Sequence, residues 1–206
     1  QDIEAKIMSD NRYHPLMPYA EDTTEYRHIT SDFVENIKAG GREIIKIDPE
    51  GIAQLTSKGF SETSHLLRTT HLKQLRKILD DPEASDNDRF VALDLLKNAN
   101  ISAGRILPMC QDTGTAIVLG WKGQQVWSSG NDAAALAAGI QKTYHEGNLR
   151  YSQMAPLSMF EEANTGDNLP AQIDIEAVSG DEYRFLFIAK GGGSANKTYL
   201  FQETKA

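Results

Sequence analysis

The hydrophobic period of this sequence changes at Gly114, and that change limits the folds open to it. Upstream, Leu72, Leu75, Ile78 and Leu79 fall on one helical face, and Ala92, Leu95, Leu96 and Ala99 repeat the pattern, so Ser61 to Ala99 reads as helical. Ser85 and Asp88 stand as a capping box before the second run, and Asp81-Pro82 marks the turn between the two. Pro49 opens an earlier helix behind a short strand at Glu43–Ile47. Downstream of Gly114 the period shortens. Ala116 to Leu119, a turn at Lys122-Gly123-Gln124 and then Val126-Trp127 predict a hairpin. Ile173, Ile175 and Ala177, followed across Ser179-Gly180-Asp181-Glu182 by Tyr183, Phe185, Phe187 and Ala189, predict a second and clearer one. Between them Asn131 or Asp132 caps a helix that ends at Gly147. Helices gathered before strands, with connections short enough for hairpins, predict an α+β fold with antiparallel or mixed sheets rather than a doubly wound parallel one.

The first forty residues mix prolines, aromatics and charges without a sustained period. Residues 1–40 are therefore expected to form an irregular arm, docked through Tyr13, Pro15, Leu16, Pro18 and Tyr19, on a domain spanning 41–206. At 206 residues and 40% hydrophobic content the chain can bury one substantial core. No run approaches the roughly 18 apolar residues of a membrane helix, and the amino terminus lacks the basic and apolar regions of a leader. No membrane partner is expected. A net charge of −8, without a lysine or arginine cluster, argues against nucleic acid as a partner. A small anionic substrate stays open, because a few local cations override the global sign.

Chemistry concentrates around Cys110, the chain's one cysteine, in the run PMCQDTGTAIVLG. A lone cysteine is commonly a small buried hydrophobe. Its neighbours Gln111, Asp112 and Thr113, at a helix-to-strand junction, instead suit convergence on a bound group. A nucleophilic thiol would need a histidine base, and the five histidines are scattered. His65 and His71 read as solvated or capping. A metal-ligating thiolate would need partners that the rest of the chain does not supply. Asp112 is a proton-transfer group beside a ligand or an Asx-turn residue. Arg150 can fork onto a carboxylate or form a surface ion pair. The run Lys190-Gly191-Gly192-Gly193-Ser194-Ala195-Asn196-Lys197 turns backbone N–H groups toward an anion, without Walker or dinucleotide spacing.

Taken together, PMCQDTG, NLRYSQ, NLPAQI and KGGGSANKTYLFQETKA resemble the amino-terminal domain of the iron–sulfur fumarate hydratases, the class I fumarases. The resemblance runs from about Asp22 to the last residue and includes DPEASDNDRFVALDLLKNA. Four separated motifs in the same order are far more specific than any one of them. The resemblance implies a lyase of the tricarboxylic acid cycle that interconverts (S)-malate and fumarate. It also implies a [4Fe–4S] cluster held by three cysteines with one iron open, a homodimeric enzyme, and a reducing compartment such as the cytoplasm or the mitochondrial matrix. By motif position Cys110 resembles the first cluster ligand. Gln111, Asp112, Arg150 and Gly193 resemble the substrate-pocket residues of this domain, with Asp112 transferring the proton, and Lys190 is a looser match. The chain ends before the family's other two cluster cysteines, so on its own it is expected to be an inactive, cluster-free fragment. A relative acting on tartrate or a methylated fumarate, and a noncatalytic anion-binding module, are the alternatives.

Overall fold

The computed structural model describes residues 25–110, 113–193, 200 and 202. Its elements run β1 (Val34–Ala39), β2 (Arg42–Ile47), α1 (Pro49–His65), α2 (Thr69–Asp80), α3 (Asp86–Ser102), β3 (Thr115–Gly123), β4 (Val126–Ser128), α4 (Asp132–Glu146), β5 (Met154–Pro156), β6 (Glu162–Asn164), β7 (Gln172–Val178) and β8 (Tyr183–Lys190). The architecture is α+β, as expected. The helix starts are fixed by local chemistry. Asp48 accepts a hydrogen bond from the Glu50 N–H ahead of Pro49, and Asn131 does the same for Ala134. Ser85 and Asp88 close a reciprocal capping box. Gly147 stands at the C-cap of α4.

The core is a two-layer sandwich. Helices α1 and α4 pack against each other and cover one face of a three-stranded sheet in the order β7-β3-β8. Its buried side chains include Ile52 and Phe60 from α1, Ala116 and Val118 from β3, and Leu136, Ile140 and Tyr144 from α4. Tyr183, Phe185 and Phe187 of β8 close it, with the Phe60 and Phe187 rings 5.3 Å apart. Gly139 lets the two helices approach, since a Cβ there would collide with the Ala53 carbonyl and meet Thr56 Cβ at 2.7 Å. A second sheet, β1-β2-β4, flanks this layer, and β5 pairs with β6. The α2–α3 hairpin stands apart, with nothing buried on α2 and only Ala92, Ala99 and Ser102 buried on α3.

Both hairpins expected downstream of Gly114 are corrected. β3 does not pair with β4, which instead lies parallel to β2 with Ile45 opposite Val126. β7 and β8 are not partners either. β3 lies between them, parallel to β7 and antiparallel to β8, with Val118 opposite both Ile173 and Phe187. Alternation on β7 and β8 reports which face is buried, and that face is shared by a third strand. The Ala116–Leu119 run is apolar on successive residues because neither face of β3 is fully exposed there, its residues alternating between buried and half-buried.

The arm expected to be irregular to residue 40 contains β1. This strand pairs antiparallel with β2 across Gly40-Gly41, both at positive φ, as a two-residue type I′ loop requires. It is a largely exposed strand, VENIKA, so it carries little hydrophobic pattern to read. The docking contacts assigned to Tyr13 through Tyr19 lie outside the described residues. His65, expected at the solvent or as a cap, is buried, with Nδ1 2.7 Å from the Ser61 carbonyl. Among the described residues no helix is long and apolar enough to cross a membrane.

Candidate functional site

Cys110 is an exposed free thiol in the connection between α3 and β3. The loop is held from behind. Met109 donates its N–H to the Ser64 carbonyl at 2.9 Å and accepts from Asn98 Nδ2 at 2.8 Å, while Ser102 Oγ donates to the His65 carbonyl at 2.9 Å. The thiol is therefore presented by fixed backbone, and it is not the buried hydrophobe that a lone cysteine commonly is. Gln111 and Asp112, the next two expected site residues, lie outside the described residues.

On the far side of them the chain is locked again. Thr113 is buried, and its Oγ1 donates to the Arg150 carbonyl at 2.5 Å. The fully buried Tyr144 donates its hydroxyl to the Thr113 carbonyl at 3.0 Å. Asn168, also fully buried, donates from Nδ2 to the Gly114 carbonyl at 3.0 Å, and its Oδ1 accepts from the Ser152 and Gln153 N–H groups at 2.8 and 3.1 Å. It does so from a left-handed conformation, φ +59°, that asparagine tolerates better than most residues. Thr115 Oγ1 adds a contact to Gln153 Oε1 at 3.0 Å.

Gly114, at φ +67°, completes the turn, and a Cβ on it would collide with the Lys190 carbonyl and lie 2.6 Å from the Gly191 nitrogen. Three segments distant in sequence thus meet at residues 113–114: the cysteine loop, the Arg150 segment and the base of the glycine run. Arg150 is exposed, so its guanidinium is available at the surface of this braced region. Gly193 is exposed as well, with nothing within 4 Å of where a Cβ would stand. Lys190 donates from Nζ to the Gly191 carbonyl at 3.1 Å. Asn168 and Tyr144 were not singled out from the sequence as functional residues, and Thr113, expected to face a bound group beside Cys110, spends its hydroxyl on the Arg150 carbonyl. NLPAQI and PMCQDTG contain Asn168 and Thr113, but nothing local marks them as partners across the fold.

The donor set tests what a cluster could find here. Among the described residues no group of three or more His, Cys, Asp or Glu could hold a metal ion. One exposed thiol on a braced loop fits a single corner of an iron–sulfur cluster, since thiolates are the ligands iron–sulfur centres take. The remaining corners have no thiolate in these 206 residues, of which one is cysteine.

Residues 53–205 match the family described as Fumarate hydratase (Fumerase). The chain is 56% identical over 201 residues to the aerobic class I fumarate hydratase of Escherichia coli strain K12, covering 97% of this chain and 37% of that protein. It is 55% identical over 194 residues to the anaerobic class I enzyme of the same strain, covering 94% of the chain and 35% of the relative. Against the mitochondrial fumarate hydratase 1 of Leishmania major it is 53% identical over 205 residues, 98% of the chain and 37% of that protein. The chain spans little more than a third of the length of these curated relatives, and across nearly its whole extent it belongs to the class I fumarate hydratase family.

Proposed function

We propose that this chain carries the Cys110 corner of an iron–sulfur fumarate hydratase, a hydro-lyase of the tricarboxylic acid cycle that interconverts fumarate and (S)-malate. The observation that most supports this reading is the brace at residues 113–114, which ties the cysteine loop, the Arg150 segment and the glycine run together. Hydroxide is a poor leaving group, and a [4Fe–4S] cluster with one open iron would supply Lewis-acid assistance to its departure. The chain's own residues do the rest of this half of the site. The planar fork of Arg150 binds a substrate carboxylate through two parallel hydrogen bonds, which fixes the diacid's orientation. Gly193, without a side chain, lets the other end of the substrate reach backbone N–H groups. Gln111 orients the substrate, and Asp112 moves the proton beside the carboxylate.

One thiolate cannot hold a cluster, so the proposal takes the other ligands from outside these 206 residues, in a homodimeric enzyme of a reducing compartment. The test is anaerobic reconstitution with iron and sulfide, read by visible cluster absorption and by fumarate hydration. Expressed from its whole open reading frame, the protein is expected to gain both, and Cys110→Ser to lose both. Turnover by the 206-residue chain alone, or an unchanged cluster spectrum and rate in Cys110→Ser, would overturn the reading.

A further inference from the structure

A cationic pocket lies beside α1, bordered by Lys58 of that helix and by residues 27–29. It has a volume of about 330 Å³ and is lined by Arg27, His28, Ile29, Lys58 and Arg105. Three full positive charges in one wall are unexpected on a chain of net charge −8. Self-repulsion disfavours such an arrangement unless something of opposite sign sits against it. Glu62 does so in part. Arg27 donates from Nη2 to Glu62 Oε1, and Arg105 reaches the same oxygen from Nη2 at 3.4 Å. The two guanidiniums, Arg27 ahead of Arg105 in effect, hold the Glu62 carboxyl below its ordinary range against the opposing influence of burial. One carboxylate oxygen leaves most of the five N–H donors on each fork uncommitted. Lys58, one helical turn before Glu62, makes no ion pair among the described residues and is exposed. No carboxylate lines the pocket among the described residues.

We propose that the Arg27, Lys58 and Arg105 pocket binds a phosphoryl-bearing anion. The three cations come from segments distant in sequence and border one space, where several donors can reach one bound anion. A tetrahedral phosphoryl group presents oxygens in several directions at once, whereas a single carboxylate presents two in one plane. The charge arithmetic agrees. Three cations against Glu62 leave an excess of two, which a phosphate dianion neutralises. The pocket exceeds the size of inorganic phosphate, so a phosphoryl group carried on a larger molecule also fits.

The experiment uses the 206-residue chain and reads binding directly, so its outcome is independent of any hydratase activity. Inorganic phosphate, pyrophosphate and adenosine triphosphate are titrated at low and constant ionic strength by calorimetry and by two-dimensional NMR. Sodium chloride and malate serve as controls. Saturable binding is expected, with amide shifts clustered around residues 27, 58 and 105. Lys58→Gln is expected to weaken it by about tenfold, the loss of one charge-assisted hydrogen bond. Inorganic phosphate binding as tightly as the triphosphate identifies the free ion as the source, and tighter triphosphate binding identifies a carried phosphoryl group. Because Lys58 makes no ion pair among the described residues, this variant keeps the Arg27–Glu62–Arg105 contact, and its thermal midpoint without ligand checks its folding. Shifts matched by chloride, affinity unchanged in Lys58→Gln, or tighter binding of an Asp/Glu-rich peptide than of any phosphoryl compound would each overturn the proposal.

Discussion

At the scale of single residues, Asn168 holds more of the candidate site together than any residue the motifs bring to notice. Its carboxamide satisfies one carbonyl and two N–H groups of buried or half-buried backbone; on truncation the two N–H groups lose this acceptor and the Gly114 carbonyl keeps only the longer bond from Tyr144 at 3.4 Å. Asn168→Ala is expected to cost about 3 kcal/mol, because the groups left unpaired pay their desolvation without return. Asn168→Asp keeps the acceptor but sets a second carboxylate oxygen against the Gly114 carbonyl in a fully buried site, and should cost at least as much. Urea denaturation of the two variants and the wild type checks the order, and an Ala variant as stable as wild type would contradict this role. Cys110, Gln111 and Asp112 came to notice as candidates because reactive residue types stand side by side in one short run, and Arg150 because of its fork chemistry. Asn168 did not, because its partners stand 15, 16 and 54 residues away.

Elements were legible where their signals were local and illegible where they depended on a neighbour. The Ser85–Asp88 box and the Asn131 cap each involve residues three apart, so sequence spacing contains the whole geometry. Strand pairing does not. Tyr183, Phe185 and Phe187 pack on the same helix layer as Ile173, while Ile175 is exposed, and nothing in the alternation of either strand reveals β3 between them. The packing of α1 on α4 was hidden in another way, since it turns on an absent side chain. Gly139 sits where a methyl group would strike the Ala53 carbonyl and crowd Thr56, and Thr143 Oγ1 donates to the Ser57 carbonyl at 3.0 Å close by. Helix propensity alone favours alanine over glycine by about 1 kcal/mol. Overpacking of a close helix contact costs about 1–3 kcal/mol. Gly139→Ala is therefore expected to destabilise by up to about 2 kcal/mol, a sign opposite to the propensity. A thermal midpoint that rises in this variant would show the helices free to separate.

Across the whole molecule, two assemblies arise only when distant segments meet. The cationic pocket draws on residues 27, 58 and 105, which explains why no basic cluster shows in the sequence. The second joins the two main sheets. Lys122 of β3 donates to Ser128 of β4 at 2.5 Å and to Asp132 of α4 at 2.7 Å, and Tyr183 of β8 donates to the same carboxylate oxygen at 3.0 Å. The Asp132 side chain is only 12% exposed. Burial pushes its carboxyl upward, but hydrogen bonds from Lys122, Ser128 and Tyr183 with the Lys122 charge outweigh that and hold it below the ordinary 3.8. A depressed folded value means the stabilisation is complete above pH 3.8 and is lost as pH falls through the lower folded value. Tyr183 carries the opposite sign. Burial, then the Asp132 charge and hydrogen bond, raise its hydroxyl above 10.0, so its share persists below pH 10.0 and declines above it. Asp132→Asn should thus cost about 2–4 kcal/mol at neutral pH, the range for breaking a largely buried charged pair. The gap from wild type should close in acid, where the native carboxyl is itself neutral. Glu62 and Asp88 are also held down, but both persist in the variant and cancel from the difference. Urea midpoints of the two proteins between about pH 7 and pH 2 measure that difference. A gap independent of pH would mean that the joint between the sheets depends on the shape of the Asp132 side chain and not on its charge.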